Sequence, residues 1–540
     1  PRIIKNAKMA IEGQFFLPNR REPMKGRYII AYDLGTGGNK ASLYDIDGKC
    51  LAESFVSYPT QYPATGWHEQ RPQDWWNAVI ESTNRLLKEA FIERDEISCC
   101  GISGHSLGVV PLDRNGKLLR EATPIWSDSR PLSQSRQFFE KVDENEWYLM
   151  TGNGFPPPLY SVFKMMWYRD NEPEMFKNIH KVIGTKDFIN YKLTGNMVTD
   201  YSYASGCGVY DLVNWEYSES MIDASGLPKD IFPDIVPSTA VIGELTPEAS
   251  AALNLPAHLK VVAGGVDNSC MGLGAKSFQE GRVYNALGSS SWIAVASATP
   301  LLDARTRPYV FTHVIPGLFM SATSIFSAGT SFRWLRDQLC QSIVSEAELR
   351  KVDPYELMTA EAENSPIGSN SIIFNPSLAG GNCLDDSPNL RGAFMGLDLG
   401  HTRPDLIRSV MEGVAFGLRV ALDELRRLTR VANEMTVVGG ISQSKLWRQM
   451  LADVYQMNIV KTNIDQQAAA LGAAALAAVG TGIWPDFSII DEIHAVEDVA
   501  EPIPENSAAY AKLLPIYKKA SQMHAAIGDM LAAVSMVENR

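Results

Sequence analysis

Apolar and polar positions near the start of the chain predict a small antiparallel meander. Residues 28–33, Tyr-Ile-Ile-Ala-Tyr-Asp, form a short apolar run that predicts a buried strand. Gly35 to Gly38 predict a turn and residues 39–46 a second strand. Asp47-Gly48 predict a hairpin into a third strand over 49–56. This order of strands is not a β-α-β unit.

Helical spacing of apolar residues follows in several segments. Residues 72–91 place Trp75, Val79, Leu86 and Leu87 on one side of a helix. The Ala-rich stretch 468–483 predicts a tightly packed core helix, because it is short for a membrane span. Further predictions are a strand over 97–110, helices over 132–142, 162–169, 185–193 and 444–456, and a partly helical tail from residue 505.

The opening pattern returns near residue 260. Strands are predicted over 259–263, 282–287 and 292–296, with Gly-rich or Ser-rich turns between them. A further strand over 435–438 enters Gly439-Gly440 before a helix. Two strand–turn–strand units about half the chain apart indicate an internal duplication. Strands that alternate with helices in this way predict an α/β fold.

Composition narrows the class of protein. The chain has 540 residues, of which 45% are hydrophobic and 21% charged, so it is ordinary globular material with room for a large core. The net charge of −13 argues against nucleic acid and anionic membranes as main partners. Seven cysteines without a C-x-x-C pair predict reduced thiols and a cytoplasmic location. The basic residues before position 28 predict a surface arm.

Two Gly/Ser/Thr turns are the candidate phosphate sites. The chain lacks G-x-x-x-x-G-K-[ST], a G-x-G-x-x-G that follows a strand, H-E-x-x-H and G-x-S-x-G. Turns such as Gly35–Gly38 and Gly288–Ser291 present backbone N–H groups that can hold phosphate oxygens. Asp33 beside the first turn would orient Mg²⁺ through water. One such turn is more often a plain hairpin, but two with a carboxylate favour a nucleotide site. Gly439-Gly440 before a helix suits the same ligand, although a tight strand–helix turn is commoner.

Asp267 is the candidate catalytic residue. It follows a buried strand in the sequence Gly264-Gly-Val-Asp-Asn268. A carboxylate on a Gly-rich turn can accept a hydroxyl proton in phosphoryl transfer, although an Asp that caps the following helix is also common. Trp126 and Asp128 combine an aromatic face with a carboxylate, as sugar sites do, and Gly104-His105-Ser106 would add polar contacts. Each of these alone more often belongs to core or surface.

At these positions the chain resembles the FGGY carbohydrate kinases, a family of the actin-like ATPase superfamily. The resemblance runs from about residue 28 to about residue 485. The strongest match is Gly392–Leu397, a seven-residue gap, then Asp405-Leu406 and Ser409–Glu412. Other matching motifs are Asp33–Lys40, Gly66–Gln70, Lys164–Trp167, Lys186-Asp187, Leu193–Gly195, Thr199–Ser202, Gly439-Gly440 with Trp447, and Ala468–Gly472.

The resemblance implies two RNase H-like (actin-like ATPase) domains with ATP and Mg²⁺ in the cleft between them. Asp267 falls on the family's catalytic Asp, and Asp33 would hold Mg²⁺. The residues then expected to bind the sugar are Gly104, His105, Ser106, Trp126, Asp128, Asp267 and Asn268. The residues expected to bind the nucleotide are Gly35, Thr36, Gly37, Gly38, Asn39, Lys40, Gly288, Ser289, Ser290, Gly329, Gly440 and Ser444.

The substrate segments depart from the family's pattern. The nearest likeness is to xylulokinases, which carry Gly-Gln-Met-His-Gly where this chain has Gly104-His-Ser-Leu-Gly108. Glycerol kinases carry an Arg-Glu pair there, which Ser106-Leu107 cannot supply. Gly380-Gly381-Asn382 replaces the family's Gly-Glu-Arg.

The sequence therefore predicts an ATP-dependent kinase for a small sugar or polyol, with a ketopentose such as xylulose or ribulose favoured. Alternatives are a non-catalytic nucleotide and sugar sensor on the same fold, and a sugar-binding protein without a nucleotide. The expected organisation is an arm at 1–27, an N-terminal kinase domain at 28–268, a C-terminal kinase domain at 269–490 and a helical tail at 491–540. A homodimer is expected from the resemblance.

Overall fold

Two seven-stranded sheets organise the chain. The structure is a computed structural model that describes residues 26–90, 92–154 and 156–538, with side chains as far as residue 534. The predicted arm at 1–27 therefore lies outside the described residues, except for Gly26 and Arg27. Within the described residues no helix has the length and apolar character needed to cross a membrane.

The N-terminal half is built around strand β5 and the meander that precedes it. Its strands are β1 (Tyr28–Leu34), β2 (Gly38–Asp45), β3 (Cys50–Ser57), β4 (Glu69–Gln70), β5 (Ile97–Gly104), β6 (Val110–Leu112), β7 (Thr123–Pro124), β8 (Lys181–Ile183), β9 (Val198–Asp200), β10 (Tyr210–Asp211), β11 (Glu216–Tyr217), β12 (Asp234–Val236), β13 (Val241–Glu244), β14 (Lys260–Val262) and β15 (Gly265–Val266). Its helices are α1 (Pro72–Glu89), α2 (Leu132–Phe139), α3 (Glu144–Thr151), α4 (Ser161–Asn171), α5 (Pro173–Phe176), α6 (Thr185–Thr194), α7 (Tyr201–Ala204), α8 (Glu219–Ser225), α9 (Pro247–Leu253) and α10 (Asp267–Gly274).

The C-terminal half repeats the plan. Its strands are β16 (Val283–Leu287), β17 (Ser291–Ser297), β18 (Tyr309–Thr312), β19 (Phe319–Ile325), β20 (Ile373–Asn375), β21 (Ala393–Met395), β22 (Glu434–Val438), β23 (Asn458–Thr462) and β24 (Val496–Ala500). Its helices are α11 (Gly329–Leu339), α12 (Gln341–Arg350), α13 (Pro354–Ala362), α14 (Arg403–Leu428), α15 (Lys445–Tyr455), α16 (Ala468–Thr481), α17 (Ile489–Ile493) and α18 (Pro504–Glu538).

Strand order shows that the two halves share one topology. The first sheet runs β13-β14-β5-β1-β2-β3, with β15 beside β5, and the second runs β18-β19-β17-β16-β22-β23-β24. In each, three antiparallel strands continue through two parallel strands into an antiparallel edge strand, and in the second sheet β18 adds a fourth antiparallel strand beside β19. The internal duplication predicted from the sequence is therefore confirmed.

Two crossed helices, α10 and α16, lie between the sheets. Helix α16 comes from the C-terminal half but packs on β1 and β5 of the first sheet. Helix α10 ends the N-terminal half and packs with Tyr284, Ala294 and Met320 of the second sheet. The helices touch at backbone distance, because a Cβ on Gly472 would lie 2.0 Å from the Cys270 carbonyl oxygen. Small residues in α16 permit this contact, and nearly the whole helix is buried as predicted.

The predicted elements differ from the structure mainly at their ends. The strand predicted over 97–110 ends at Gly104, because residues 105–109 form a bend before the next strand begins at Val110. The helix predicted over 132–142 ends at Phe139, and α3 follows it without having been predicted. Helix α3 is capped by Asp143, whose carboxylate accepts hydrogen bonds from the N–H groups of Asn145 and Glu146.

Candidate active site

Asp33 and Asp267 lie at the same edge of the first sheet. In the parallel ladder Asp33 of β1 stands beside Ser103 of β5, and Val266 of β15 stands beside Gly104. The carboxyl ends of these three strands therefore meet, which brings the two acidic residues to either side of β5. Both side chains are partly exposed. The Ser103 hydroxyl donates a hydrogen bond of 3.0 Å to Asp33 Oδ1.

The two carboxylates influence each other's charge. Burial, and then the negative charge of Asp33, raise the pKa of the Asp267 carboxyl to about 7. Its Oδ1 accepts a 2.8 Å hydrogen bond from the Asn268 N–H, which opposes this rise. Burial also raises the pKa of Asp33, against the hydroxyl of Ser103 and the charge of Lys40. A base that titrates near neutral pH can both take up and release a proton under working conditions.

A buried polar network fixes the backbone before Asp267. The Val266 N–H donates to Ser202 Oγ at 2.9 Å, and Ser202 Oγ donates to Asp200 Oδ2 at 2.5 Å. Asp200 is ion-paired with Lys186 Nζ at 2.8 Å. Lys186 also donates to the Ala263 carbonyl at 3.3 Å. These groups are fully buried, so the network holds the turn that carries Asp267 in one geometry.

The first Gly/Thr turn joins β1 to β2 beside Asp33. Gly35 N–H donates to the Gly38 carbonyl at 3.0 Å, which closes the turn. Gln70 Nε2 donates to the Thr36 carbonyl at 2.7 Å. Gly37 at the tip is exposed, with open space where a Cβ would stand. These hydrogen bonds fix the backbone of the turn, and Gly37 at its tip stays accessible to solvent.

Lys40 and Asn39 follow this turn but face opposite ways. Lys40 Nζ donates to the Gln466 carbonyl at 3.1 Å, so it reaches across to the C-terminal half. Asn39 is fully buried, and its Nδ2 donates to Ser82 Oγ of α1 at 2.8 Å. This buried position does not fit the predicted contact of Asn39 with a nucleotide. Successive side chains of a strand point to opposite faces of the sheet, so Asn39 points into the core where Lys40 points outward.

Trp126 offers an exposed aromatic face beside the first turn. Its side chain is 41% exposed, and its Nε1 donates to Thr36 Oγ1 at 2.9 Å. Asp128 differs from its prediction. Its carboxylate is fully buried, pairs with the Arg130 guanidinium at 2.7 Å and accepts the His68 N–H at 2.7 Å. Because these partners occupy its oxygens, Asp128 shapes the loop and presents no free acceptor to a sugar.

The residues predicted to bind sugar at the end of β5 differ in their exposure to solvent. Ser106 is partly exposed, whereas Gly104 and His105 are buried. The His105 ring lies edge-on to Trp75 with centroids 5.5 Å apart, and neither ring nitrogen has a hydrogen-bond partner among the described residues. Burial and the nearby Lys164 ammonium lower the pKa of the His105 imidazole to about 3, so the ring is neutral. Ser106 is therefore the member of this predicted set that reaches the surface.

A cavity of ≈ 560 Å³ opens in the C-terminal half. It gathers five residues predicted for the nucleotide, which are Gly288, Ser289, Gly329, Gly440 and Ser444. The cavity also includes Gln466, whose carbonyl accepts a hydrogen bond from Lys40, so the Lys40 ammonium of the N-terminal half reaches the residue that lines the cavity. Ser290 is partly exposed on the second turn, where its carbonyl accepts the Gly288 N–H at 3.1 Å.

Two glycines at the cavity, Gly329 and Gly439, lie in close contact with neighbouring backbone. The Gly329 N–H donates to the Gly288 carbonyl at 3.0 Å, and a Cβ on Gly329 would lie 2.5 Å from that oxygen. Gly439 has a φ of +101°, and a Cβ there would meet the Leu287 carbonyl oxygen at 2.6 Å. Only glycine fits both positions without a backbone shift. The Ser444 hydroxyl caps α15 by accepting the Trp447 N–H.

Sequence reasoning missed the apolar walls of this cavity. They include Phe332, Tyr355 and Trp447, and the rings of Phe332 and Tyr355 stack with centroids 5.5 Å apart. A cavity lined by aromatic rings and glycine backbone suits a planar ring system. These residues come from three separate helices. Trp447 belongs to the motif that begins at Gly439-Gly440, but that motif does not indicate that Phe332 and Tyr355 lie beside it. Ser103 was also missed, although it lies two residues before His105.

Comparison with protein families matches nearly the whole described chain. Residues 28–274 match the model for the N-terminal domain of the FGGY family of carbohydrate kinases, and residues 283–481 match the model for its C-terminal domain. The xylulose kinase of Bacillus subtilis (strain 168) is 29% identical over 91% of this chain and 96% of that protein. The gluconokinase of the same organism is 27% identical over 92% of this chain and 96% of that protein.

Solved structures agree with these relatives. A gluconate kinase from Lactobacillus acidophilus superposes with a TM-score of 0.85 at 26% identity and covers 93% of this chain and 99% of its own. A ligand-bound xylulose kinase from the same organism has a TM-score of 0.84 at 26% identity, with the same coverage. The predicted fold of two actin-like domains is therefore confirmed.

Proposed function

Because the chain belongs to the FGGY family of carbohydrate kinases, we propose that this sugar kinase transfers the γ-phosphoryl group of ATP to a hydroxyl of a neutral ketose, with Asp267 as general base. The observation that carries the proposal is the placement of Asp267. Its partly exposed carboxylate, whose pKa is raised to about 7, lies at the sheet edge where Asp33 and the first Gly/Thr turn also stand.

The reaction balances without a further reactant. As the sugar oxygen attacks the γ-phosphorus, its proton passes to the Asp267 carboxylate, and the bond between phosphorus and the β,γ-bridging oxygen breaks to release ADP. The exposed turns around Gly37 and Ser289 would donate backbone N–H groups to phosphate oxygens. Lys40 would stabilise the same charge from the N-terminal half. The network behind Val266 supports the reaction by holding the base in place.

Mg²⁺ fits beside Asp33. The carboxylate is partly exposed, faces the first turn and lies within the field of Asp267, so the local charge is negative and the donors are oxygens, as Mg²⁺ prefers. When bound, Mg²⁺ would neutralise charge on the phosphate oxygens. Asp33 would hold it through water, and Ser103 would orient the Asp33 carboxylate.

The charged groups around Asp267 favour a neutral sugar over a sugar acid as the substrate. Besides burial, the groups that set the pKa of Asp267 are Asp33 and two backbone N–H groups, with no cation among them. Nearby cations are already engaged. Arg130 pairs with Asp128, Lys186 pairs with Asp187 and Asp200, and Lys164 donates to two carbonyls. Lys40, whose charge acts on Asp33, donates to the Gln466 carbonyl and is assigned to the phosphate groups of ATP, so a gluconate carboxylate would meet two acidic groups without a cation of its own. The ketopentoses xylulose and ribulose are the preferred candidates.

The test is ADP release on a panel of neutral ketoses, polyols and sugar acids. We expect a neutral ketopentose to give the highest kcat/KM, and gluconate to give at least about a hundredfold less. Asp267→Asn should lower kcat by several orders of magnitude while ATP binding, measured by calorimetry, is largely retained. Asp47→Asn, on an exposed hairpin, is the matched control and should behave as wild type.

Two results would contradict parts of the proposal. Gluconate as the best substrate would overturn the neutral-sugar assignment and leave the kinase assignment intact. Near-normal turnover by Asp267→Asn would overturn the general base. ATP binding without phosphorylation of any sugar on the panel would instead favour the non-catalytic sensor.

A further inference from the structure

Thr36 is the one residue of the first Gly/Thr turn that is not glycine, since the turn reads Gly-Thr-Gly-Gly. The carbonyl groups of the turn accept hydrogen bonds from residues behind it: the Tyr58 hydroxyl donates to Gly35, Gln70 Nε2 to Thr36, and the Tyr58 N–H to Gly37. These bonds fix the carbonyl side of the turn. The Thr36 hydroxyl is therefore the group through which another side chain can still act on the turn.

Trp126 contacts this hydroxyl from the side where the sugar is expected. Its Nε1 donates to Thr36 Oγ1 at 2.9 Å, while the indole ring is 41% exposed. The indole nitrogen is the single polar atom of this side chain and only donates. A hydroxyl that accepts such a bond keeps its own proton for another acceptor, and a phosphate oxygen at the turn would be one. The bond therefore joins an aromatic face expected to bind sugar to a hydroxyl expected to bind phosphate.

A second connection between the same two regions is buried. Gln70 donates to the Thr36 carbonyl at 2.7 Å and accepts the Trp75 indole N–H at 2.9 Å. The Trp75 ring in turn lies edge-on to His105. Gln70, Trp75 and His105 are at most 2% exposed. They hold the turn in place, and a ligand reaches the turn through the exposed ring of Trp126 rather than through them.

Lys164 anchors the backbone beside both predicted sugar-binding segments. It is fully buried, and its Nζ donates to the Ile125 carbonyl at 2.7 Å and to the Leu107 carbonyl at 3.0 Å. Ile125 directly precedes Trp126, and Leu107 directly follows Ser106. One buried ammonium group thus keeps the two segments at a fixed spacing. With the backbone held, the freedom that remains at Trp126 lies in its exposed ring.

We propose that the hydrogen bond between Trp126 and Thr36 couples sugar binding to nucleotide binding, so that Trp126 is a positioning residue for the first phosphate turn. The inference rests on the proposed function, because it takes the sugar to lie on Trp126 and the phosphates to lie on the turn. A sugar that covers the ring restricts its motion, and the bond passes this restriction to the Thr36 hydroxyl. The nucleotide then binds an ordered hydroxyl and loses less conformational entropy. Both residues belong to the N-terminal half, so the coupling requires no movement between the halves.

Single substitutions can remove this bond and leave the neighbouring surface in place. Trp126→Phe keeps an aromatic face and removes the N–H donor, and Thr36→Val keeps the branched shape and removes the acceptor. Thr36→Ser keeps the hydroxyl and should restore the coupling. Trp484→Phe is the matched control, because the Trp484 indole N–H donates to the Ile46 carbonyl at 2.7 Å. Ile46 follows the end of β2 that lies opposite the turn.

Calorimetric titration of the full chain with the Mg²⁺ complex of AMP-PNP tests the coupling. This analogue resists phosphoryl transfer, so sugar and nucleotide can be present together. The sugar is D-xylulose, or the best substrate of the panel described under the proposed function if that is another sugar. In wild type we expect saturating sugar to lower the Kd of AMP-PNP at least about fivefold, and AMP-PNP to lower the Kd of the sugar by the same factor.

The variants separate this bond from a general structural role. In Trp126→Phe and in Thr36→Val the sugar should lower the Kd of AMP-PNP by no more than about twofold, and the double variant should match the single ones because one bond is lost once. Thr36→Ser and Trp484→Phe should keep the wild-type factor. The Kd of Trp126→Phe for the sugar alone should stay within about threefold of wild type, because the aromatic face remains.

Three outcomes would overturn the coupling. The first is a wild type that phosphorylates a sugar but binds AMP-PNP equally well with and without it, a result that leaves the proposed function standing. The second is full coupling in both Trp126→Phe and Thr36→Val. The third is an equal loss of coupling in Trp484→Phe. Failure of the proposed function itself looks different, because no sugar of the panel is then phosphorylated, and the coupling falls with it.

Discussion

At the scale of single residues, the position of a residue at the end of a strand predicted its place in the candidate site better than its residue type did. Asp33 and Asp267 could be located from the sequence because Asp33 ends a predicted strand and Asp267 follows one after a short Gly-rich turn, and parallel strands end at a common edge. Asp128 could not be interpreted correctly. The sequence shows Asp128 and Arg130 two residues apart, but only the folded loop shows the carboxylate turned inward onto that guanidinium. His105 was likewise predicted in the cleft, and the structure buries its ring against Trp75.

The raised pKa of Asp267 predicts an acid limb in the pH profile. The general base must be ionised, and its folded pKa is about 7 against an ordinary value of 3.8. As pH falls through 7 the carboxylate takes up a proton, so kcat/KM for the sugar should decline toward a tenfold loss per pH unit. Removing the neighbouring charge with Asp33→Asn should lower the pKa of Asp267 and move the limb to lower pH, even though overall activity falls.

Initial rates between pH 5 and 9 at low sugar concentration measure this limb. A profile that stays flat down to pH 5 would contradict the assignment of the base, and an unshifted limb in Asp33→Asn would contradict the electrostatic cause. The exposed Asp47→Asn should keep the wild-type limb.

At the scale of elements, turns were predictable and cavity walls were not. Glycines mark the two phosphate turns and the Gly439-Gly440 turn in the sequence, and the last two of these contribute to one cavity. The aromatic walls come from α11, α13 and α15, and their meeting depends on how three helices pack. Contacts between elements that lie far apart in the chain produce no local sequence pattern, so the sequence alone does not predict them.

The contact between α11 and the second turn predicts an effect on ATP. In Gly329→Ala the new methyl group would lie 2.5 Å from the Gly288 carbonyl oxygen, so the turn must shift. We expect the KM for ATP to rise about tenfold or more, which corresponds to about 1.4 kcal/mol, while the KM for the sugar changes little. Steady-state kinetics with each substrate varied in turn measures the difference.

Gly400→Ala is the control for this substitution. Gly400 lies on an exposed loop, where the nearest atom to a new Cβ is an Asp398 carboxylate oxygen that can move. A Gly329→Ala enzyme with unchanged KM for ATP would show that the second turn does not contact the nucleotide.

At the scale of the whole molecule, the two halves exchange their supporting helices. Helix α16 covers β1 and β5 of the first sheet, and α10 packs on the second. The sequence predicted α16 and the duplication, but it predicted neither α10 nor this exchange. The 28–268 and 269–490 division drawn from the sequence stays a prediction, and α10 runs across its boundary.

This exchange predicts that neither half is stable alone. A fragment that ends at Ala275 lacks α16, so the apolar face formed by Ile29, Ala31 and Cys99 would be exposed. We expect such a fragment to lack a cooperative thermal transition and to aggregate. Co-expression with the remainder of the chain should restore a soluble complex. A sharp melting transition for the isolated fragment would contradict this reading.

The position of α16 late in the chain also determines when the N-terminal half can finish folding during synthesis. The first sheet is complete once Val266 has left the ribosome, but the helix that seals it ends at Thr481. At bacterial-type elongation speeds that gap lasts roughly 10–40 s. Through that interval the apolar face of the first sheet stays uncovered, and such a face favours aggregation of the nascent chain until α16 is made.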